Sequence, residues 1–466
     1  MLKYTEFEFG FVLAAIGIAL TAGFGYAAVL AVMIGFDLSM GAWWAAMLQA
    51  HGHAQLMGWT GLFIIGVSLY FVPRLAGVPL RFPRLLPWTC AFLTLGILFR
   101  TLAQPLLHSH PSETVRLGLR WMMGLSGAAE AIGAGFYLIL LVGTLRRAAR
   151  HRPALRSVRI FLLMAVCGWV FYTAIGSTLV LSAACEGSTL LQIAWNRFGI
   201  GLFLGLVLLP VAMAFSVRTF PLYLRLPAAD WPVQRIGMVY LLALTLEQLP
   251  VLIALLNLFP EQEATGRLFS SIGGVFKGGT LLFFIWKLDI LFRRHPPWTT
   301  RRIGAPGPDR RPTRKGLPDY GEFGRFEWLL YAAYAWLALG AGLECIAGLA
   351  ALGGIPSPAD PDAIRHIYLA GFISLLIFGM APRMVPGFLH KRRVAYPALV
   401  AVTFWVAGAA AFFRVGPLVL SDLMDRVPGG LMVSTVAFGI SGLLSWTAVA
   451  VLGWNLWATR RLKKAA

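Results

Sequence analysis

Twelve runs of about 20 or more predominantly apolar residues divide the chain, and each is long enough to cross a bilayer core of roughly 30 Å. A span in lipid must satisfy its own backbone hydrogen bonds, so the runs read as α-helices rather than strands. By hydropathy they fall near 10–36, 53–73, 85–107, 117–146, 158–184, 194–220, 236–259, 266–292, 326–353, 364–388, 396–419 and 432–458. Composition agrees. Of 466 residues 58% are hydrophobic and 13% charged, against roughly 25% charged in a soluble domain. The first run is too long for the apolar core of a signal peptide and reads as a retained first helix. The expected fold is therefore an all-α, polytopic integral membrane protein forming one domain over 1–466.

The net charge of +20 does not indicate a nucleic-acid partner. The basic residues collect in loops on one side of the spans: Arg74, Arg81 and Arg84; Arg146 to Arg159; Arg218 to Arg235; His390 to Arg393; and Arg460 to Lys464. The segment 293–325, rich in Pro, Gly and Arg, lies on the same side and reads as a basic linker loop. By the positive-inside rule that side and both termini are cytoplasmic, which suits an inner-membrane protein whose main partner is the lipid bilayer. The four cysteines (Cys90, Cys167, Cys185, Cys345) form no C-x-x-C pair and read as buried spectators.

The chain repeats itself. Aligning Pro73 with Pro386 superposes His53 on His366, Gly58 on Gly371 and Gly66 on Gly379 without a gap, and Arg218-Thr-Phe-Pro221 matches Arg383-Met-Val-Pro386. The second, sixth and tenth helices are thus related, which suggests units of four helices over 1–150, 151–320 and 321–466.

Histidine is the chemistry-bearing residue here. His51, His53, His108, His110 and His366 fall at one end of the spans, the end opposite the basic loops, whereas His151, His295 and His390 lie in basic loops and read as solvated. An ionisable side chain within a membrane usually faces a site, and imidazole nitrogen is a standard axial haem ligand. His51 and His53 point about 200° apart on a helix, so one can face a haem and the other a second site. Arg100, Arg120, Arg197, Arg365 and Arg414 cluster towards the same side, where guanidinium groups can pair with propionates. Glu247 and Lys277 fall near the midplane and are expected to pair; Glu130 and Glu344 have no partner evident in the sequence.

The run His51-Gly-His53-Ala-Gln-Leu-Met-Gly58-Trp59 resembles the H-x-H-x4-G-aromatic motif of the NnrS family of haem- and copper-containing membrane proteins, and His366 leading to Arg383-Met-Val-Pro-Gly387 is similar to its second signature. The resemblance implies haem b, copper as a second metal, and a role in nitric oxide handling under nitrosative stress. A more distant resemblance is to subunit I of haem–copper oxidases and nitric oxide reductases, whose low-spin haem ligands correspond to His51 and His366. The sixth and seventh helices lack histidine, so the copper ligands of that family are absent. The oxidase resemblance favours His51 as iron ligand and the repeat favours His53. His51, His53, His366, His108 and His110 are the candidate metal ligands, and Arg100, Arg120, Arg365 and Arg414 the candidate cofactor-binding arginines. No complete catalytic constellation is present. The competing functions are an NnrS-type haem protein, a divergent oxidase or reductase-like electron-transfer subunit, and a metal-free secondary transporter.

Overall fold

The structure, a computed structural model, describes residues 4–109, 112–148, 153–297, 314–357 and 359–463. Among the described residues twelve helices are long and apolar enough to span a membrane: α1 (Gly10–Gly35), α2 (Trp44–Ala76), α3 (Pro83–Ser109), α4 (Glu113–Leu145), α5 (Arg159–Glu186), α6 (Ile193–Tyr223), α7 (Val233–Leu255), α8 (Glu263–Leu288), α9 (Phe326–Leu352), α10 (Pro361–Phe388), α11 (Pro397–Val419) and α12 (Gly430–Arg461). The described residues contain no strand. Large apolar side chains such as Trp121, Leu242 and Phe276 cover the outer surface, which is what a lipid-facing helix requires. The protein is a multi-pass membrane protein.

Three helices stand apart by burial. In α2, α6 and α10 the most apolar stretch is 78%, 67% and 72% buried, against at most 50% in any other span. These are the helices that the prolines 73, 221 and 386 align. Each also loosens into a π segment at nearly the same register, Ala54–Gly61, Leu204–Leu208 and Ile367–Ser374. A π segment rotates the side chains that follow it and often marks a functional position. The aligned glycines share one structural job. A Cβ on Gly58 would lie 2.3 Å from Ile18 of α1, and one on Gly371 would lie 2.8 Å from Trp336 of α9. The inner helices α2 and α10 thus each pack against the helix before them through a glycine that no other residue could replace without displacement. The first and last spans also meet: Trp446 donates to the Leu20 carbonyl at 2.9 Å, and Gly442 of α12 lies against Ala28 of α1.

Two expectations change. Helix α2 begins at Trp44 rather than 53, because Gln49, His51 and His53 depress the hydropathy of a stretch that is nonetheless helical. Both histidines therefore lie inside the helix, beyond its first turn. The cysteines are free, but none is fully buried: Cys167 and Cys185 are exposed and Cys90 and Cys345 half-buried; apolar membrane helices turn as much surface outward to lipid as inward.

The expected midplane pair is a larger cluster. Lys277 Nζ lies 2.5 Å from Glu247 Oε2 and 2.8 Å from Glu344 Oε1. Tyr368 of α10 donates to Glu344 Oε2 at 2.9 Å. One ammonium thus ties α7, α8 and α9 together, and Tyr368 extends the tie to the inner helix α10.

Candidate functional site

His51 and His366 line one cavity of about 410 Å³, within the usual range for small-molecule and cofactor sites. Each ring is fixed by a backbone carbonyl. In α1 the π segment Ala19–Gly23 ends at Gly23, whose φ of −74° and ψ of −100° leave helical geometry. Its displaced carbonyl accepts a hydrogen bond from His51 Nδ1 at 2.9 Å. In α10 the Asp360 side chain accepts from Asp362 N at 2.7 Å and Pro361 follows the cap, starting the helix three residues ahead of the hydropathic run. The Asp362 carbonyl of that added turn accepts from His366 Nδ1 at 2.7 Å.

These two bonds determine the chemistry. A carbonyl oxygen only accepts, so in both rings Nδ1 carries the proton and Nε2 keeps its lone pair. That is the tautomer a metal-binding imidazole adopts, with a carbonyl orienting the ring from behind. Arg414 of α11 donates from Nη2 to His366 Nε2 at 3.3 Å, and its guanidinium lies 4.2 Å above the Phe438 ring. Arg365, paired with Asp362 at 3.0 Å, and Arg197 also line the cavity. The walls between are largely apolar, with Phe24, Leu48, Ile200 and Leu369 among them. Two lone-pair imidazoles, an apolar slot and three arginines are a donor set that suits a planar, apolar macrocycle bearing carboxylates.

His53 is used differently. Arg100 can only donate, and its Nη1 lies 2.9 Å from His53 Nδ1, so that nitrogen accepts. His53 Nε2–H then donates to Glu130 Oε1 at 2.9 Å. Both ring nitrogens are engaged and the side chain is buried. The network continues from Arg100 to Gln104 at 3.3 Å, from Gln104 to Gln49 at 2.9 Å, and from Gln49 to the Leu191 backbone. It fastens α2, α3 and α4 to the segment between α5 and α6. Both His51 and His53 border the cavity, but His51 keeps a lone pair there on Nε2 whereas both nitrogens of His53 are taken by Arg100 and Glu130.

The remaining candidates are dispersed. Arg100 belongs to the His53 network. Arg120 donates to the Ala184 and Cys185 carbonyls at 3.0 and 2.6 Å, capping the C-terminus of α5. Neither reaches the cavity, because both are consumed by backbone or buried polar partners nearer to them. His108 is exposed in the last turn of α3 and lines a separate cleft with Glu113, Arg116 and Arg120. His110 and His151 lie outside the described residues. His295 is exposed and pairs with Asp289 at 3.0 Å. No group of three His, Cys, Asp or Glu side chains suited to a metal ion occurs among the described residues.

No family model matches the chain, and no curated protein matches it in sequence. Its structure is similar to a chain of a heme-copper terminal oxidase dimer solved by cryo-EM, with a TM-score of 0.67 at 13% identity, over 98% of this chain and 84% of that one. The chain has the haem–copper oxidase fold. Within that fold the cavity lies between α2 and α10, two of the three inner helices, and α11 supplies Arg414. Of the side chains singled out in the sequence, His51, His53, His366, Arg197, Arg365 and Arg414 line this cavity. Sequence reasoning missed Gly23 and Asp362, whose role is carried by carbonyls, and it missed Gln49 and Tyr172, which line the cavity.

Proposed function

We propose that this protein is a haem-binding membrane protein of NnrS type, in which His51 and His366 would hold a b-type haem. The observation that carries the reading is the paired geometry of the two rings. Each holds Nδ1–H on a carbonyl and borders the same cavity with a lone pair on Nε2, which in His366 accepts a 3.3 Å bond from Arg414 that metal ligation would displace. Arg365 and Arg414 would pair with the propionates and the apolar walls would exclude water. When bound there, haem supplies one-electron redox chemistry at the iron. The role in nitric oxide handling rests on the His51-Gly-His53 motif, and copper as a second metal rests on the same resemblance. The oxidase fold supports a second reading, in which the chain is a divergent electron-transfer subunit. The inner membrane, with both termini cytoplasmic, is the location that the basic loops support.

The test is an absorption spectrum after haem-replete expression. The purified protein should show a Soret band that His51→Ala and His366→Ala each abolish or shift, while His295→Ala leaves it unchanged. Nitric oxide added to the reduced protein should change the spectrum in the NnrS-type reading, and electron transfer to an added acceptor marks the second. A folded, colourless preparation would overturn both and promote a metal-free transporter.

A further inference from the structure

A second cavity, independent of the haem reading, lies between α2, α4, α5, α6 and α10, and has a volume of about 110 Å³. Its walls are apolar, formed by Phe63, Val67, Phe71, Leu208, Ile377 and Met380 among others. The two hydroxyls on it, Ser68 and Tyr137, lie 3.0 Å apart and bond each other. They need no further partner. Arg218 of α6 does. It lines the same cavity, and its Nε is shut off from solvent with no hydrogen-bond partner. No ion pair or ring contact engages its guanidinium among the described residues.

The contrast with Arg383 is informative. It occupies the matching place before Pro386, and its guanidinium is covered by the Tyr223 and Phe323 rings at 4.2 and 4.3 Å. Arg218 has no such cover. A guanidinium within a membrane protein is costly unless it meets an anion, and five N–H donors match a phosphate better than any other common group. An apolar slot ending in a lone cation is complementary to an anionic amphiphile. Bilayer lipid is the one such molecule that surrounds every face of this protein, and basic pockets between spans are where anionic headgroups bind.

We propose that this cavity holds one acyl chain of an anionic phospholipid whose phosphate is bound by Arg218. Lipid binding at this position ties α2 to α5 and α6 on the side of the basic loops, where Phe71 and Phe215 already meet at 5.5 Å between ring centres.

The full chain, stripped of lipid by detergent exchange, can be titrated with dioleoyl phosphatidylglycerol or dioleoyl phosphatidylcholine and the adducts counted by native mass spectrometry. The expected result is one tightly held phosphatidylglycerol and much weaker phosphatidylcholine. Arg218→Gln should weaken phosphatidylglycerol about ten- to a hundredfold, the loss of one charged hydrogen-bonding partner, and leave phosphatidylcholine unchanged. Val211→Phe, which fills the cavity from its edge and keeps Arg218, should also remove the tight adduct. It serves as the test if the arginine variant fails to elute as a monodisperse species. Equal affinity of the two lipids for the wild type would overturn the proposal. So would unchanged phosphatidylglycerol binding in both variants, or a short-chain ubiquinone binding the delipidated protein in its place.

Discussion

His53 donates a 2.9 Å hydrogen bond to Glu130 across the interface of α2 and α4, and both side chains are buried. With Arg100 on the other ring nitrogen at 2.9 Å, the cation and the carboxylate balance through a neutral imidazole whose lone pair is already taken by the short Arg100 bond. His53→Ala should therefore leave the Soret intensity of a haem-loaded protein largely intact while lowering its thermal stability. The loss should be roughly 3–5 kcal/mol, because Arg100 and Glu130 lose the group that connects them. A loss of colour equal to that of His366→Ala would show that His53, not His51, is the ligand. His53→Gln, which can accept from Arg100 and donate to Glu130, should recover part of the stability.

Much of this was legible in hydropathy. The number of spans, the pairing of His366 with the 51/53 pair and the special standing of the second, sixth and tenth helices follow from apolar runs and the proline alignment. Three things were not. The start of α2 at Trp44 escaped because a hydropathy window penalises Gln49, His51 and His53 without seeing that backbone hydrogen bonding continues through them. The π segments have no residue signature, so the displaced Gly23 carbonyl could not be foreseen. Arg100 and Arg120 shared depth with Arg414, but depth does not give azimuth. Arg120 turns to the carbonyls ending α5 and Arg100 to His53, whereas Arg414 faces the cavity.

Arg414 provides a prediction with an electrochemical readout, on the proposed haem site. A fixed cation beside His366 opposes the extra positive charge of oxidised iron and so raises the midpoint potential. Arg414→Gln should lower that potential by tens of millivolts, on the order expected for one charge at this range in a partly screened interior. The Soret band should persist. An unchanged potential in redox titration would mean that Arg414 is a packing residue over Phe438.

Outside the spans, Asp289 follows α8 in the left-handed region and folds the chain back on itself. Burial opposes its ionisation, but it accepts backbone N–H bonds from Arg294 and His295 and side-chain bonds from both, and the carboxyl is held at about 2. Its folded value lies below the usual ~3.9. The stabilisation is therefore fully present above about pH 4 and is lost as pH falls through about 2. Asp289→Asn should lower the melting temperature near neutral pH, a cost of roughly 1–3 kcal/mol for weakened charged acceptors. The gap between variant and wild type should close on acidification; a gap constant with pH would show that the carboxylate charge is not what matters.

The Lys277 cluster makes an asymmetric prediction. Two carboxylates flank one ammonium, Glu247 at 2.5 Å and Glu344 at 2.8 Å, with Tyr368 donating to the second. Had Glu247 been the sole partner, Glu247→Gln would strand the lysine. Here Glu344 still neutralises it, so that variant should cost only about 1–2 kcal/mol. Lys277→Met is the severe change. It leaves two half-buried carboxylates facing each other without a counter-charge, at a cost of roughly 2–4 kcal/mol unless one takes up a proton. Adding Glu247→Gln to Lys277→Met should recover part of that loss, since it removes the like-charge contact. Melting temperatures of the purified single and double variants check the order. A Glu247→Gln variant as unstable as Lys277→Met would mean that Glu344 does not share the lysine. A double variant no better than Lys277→Met would mean that carboxylate repulsion is not the source of the loss.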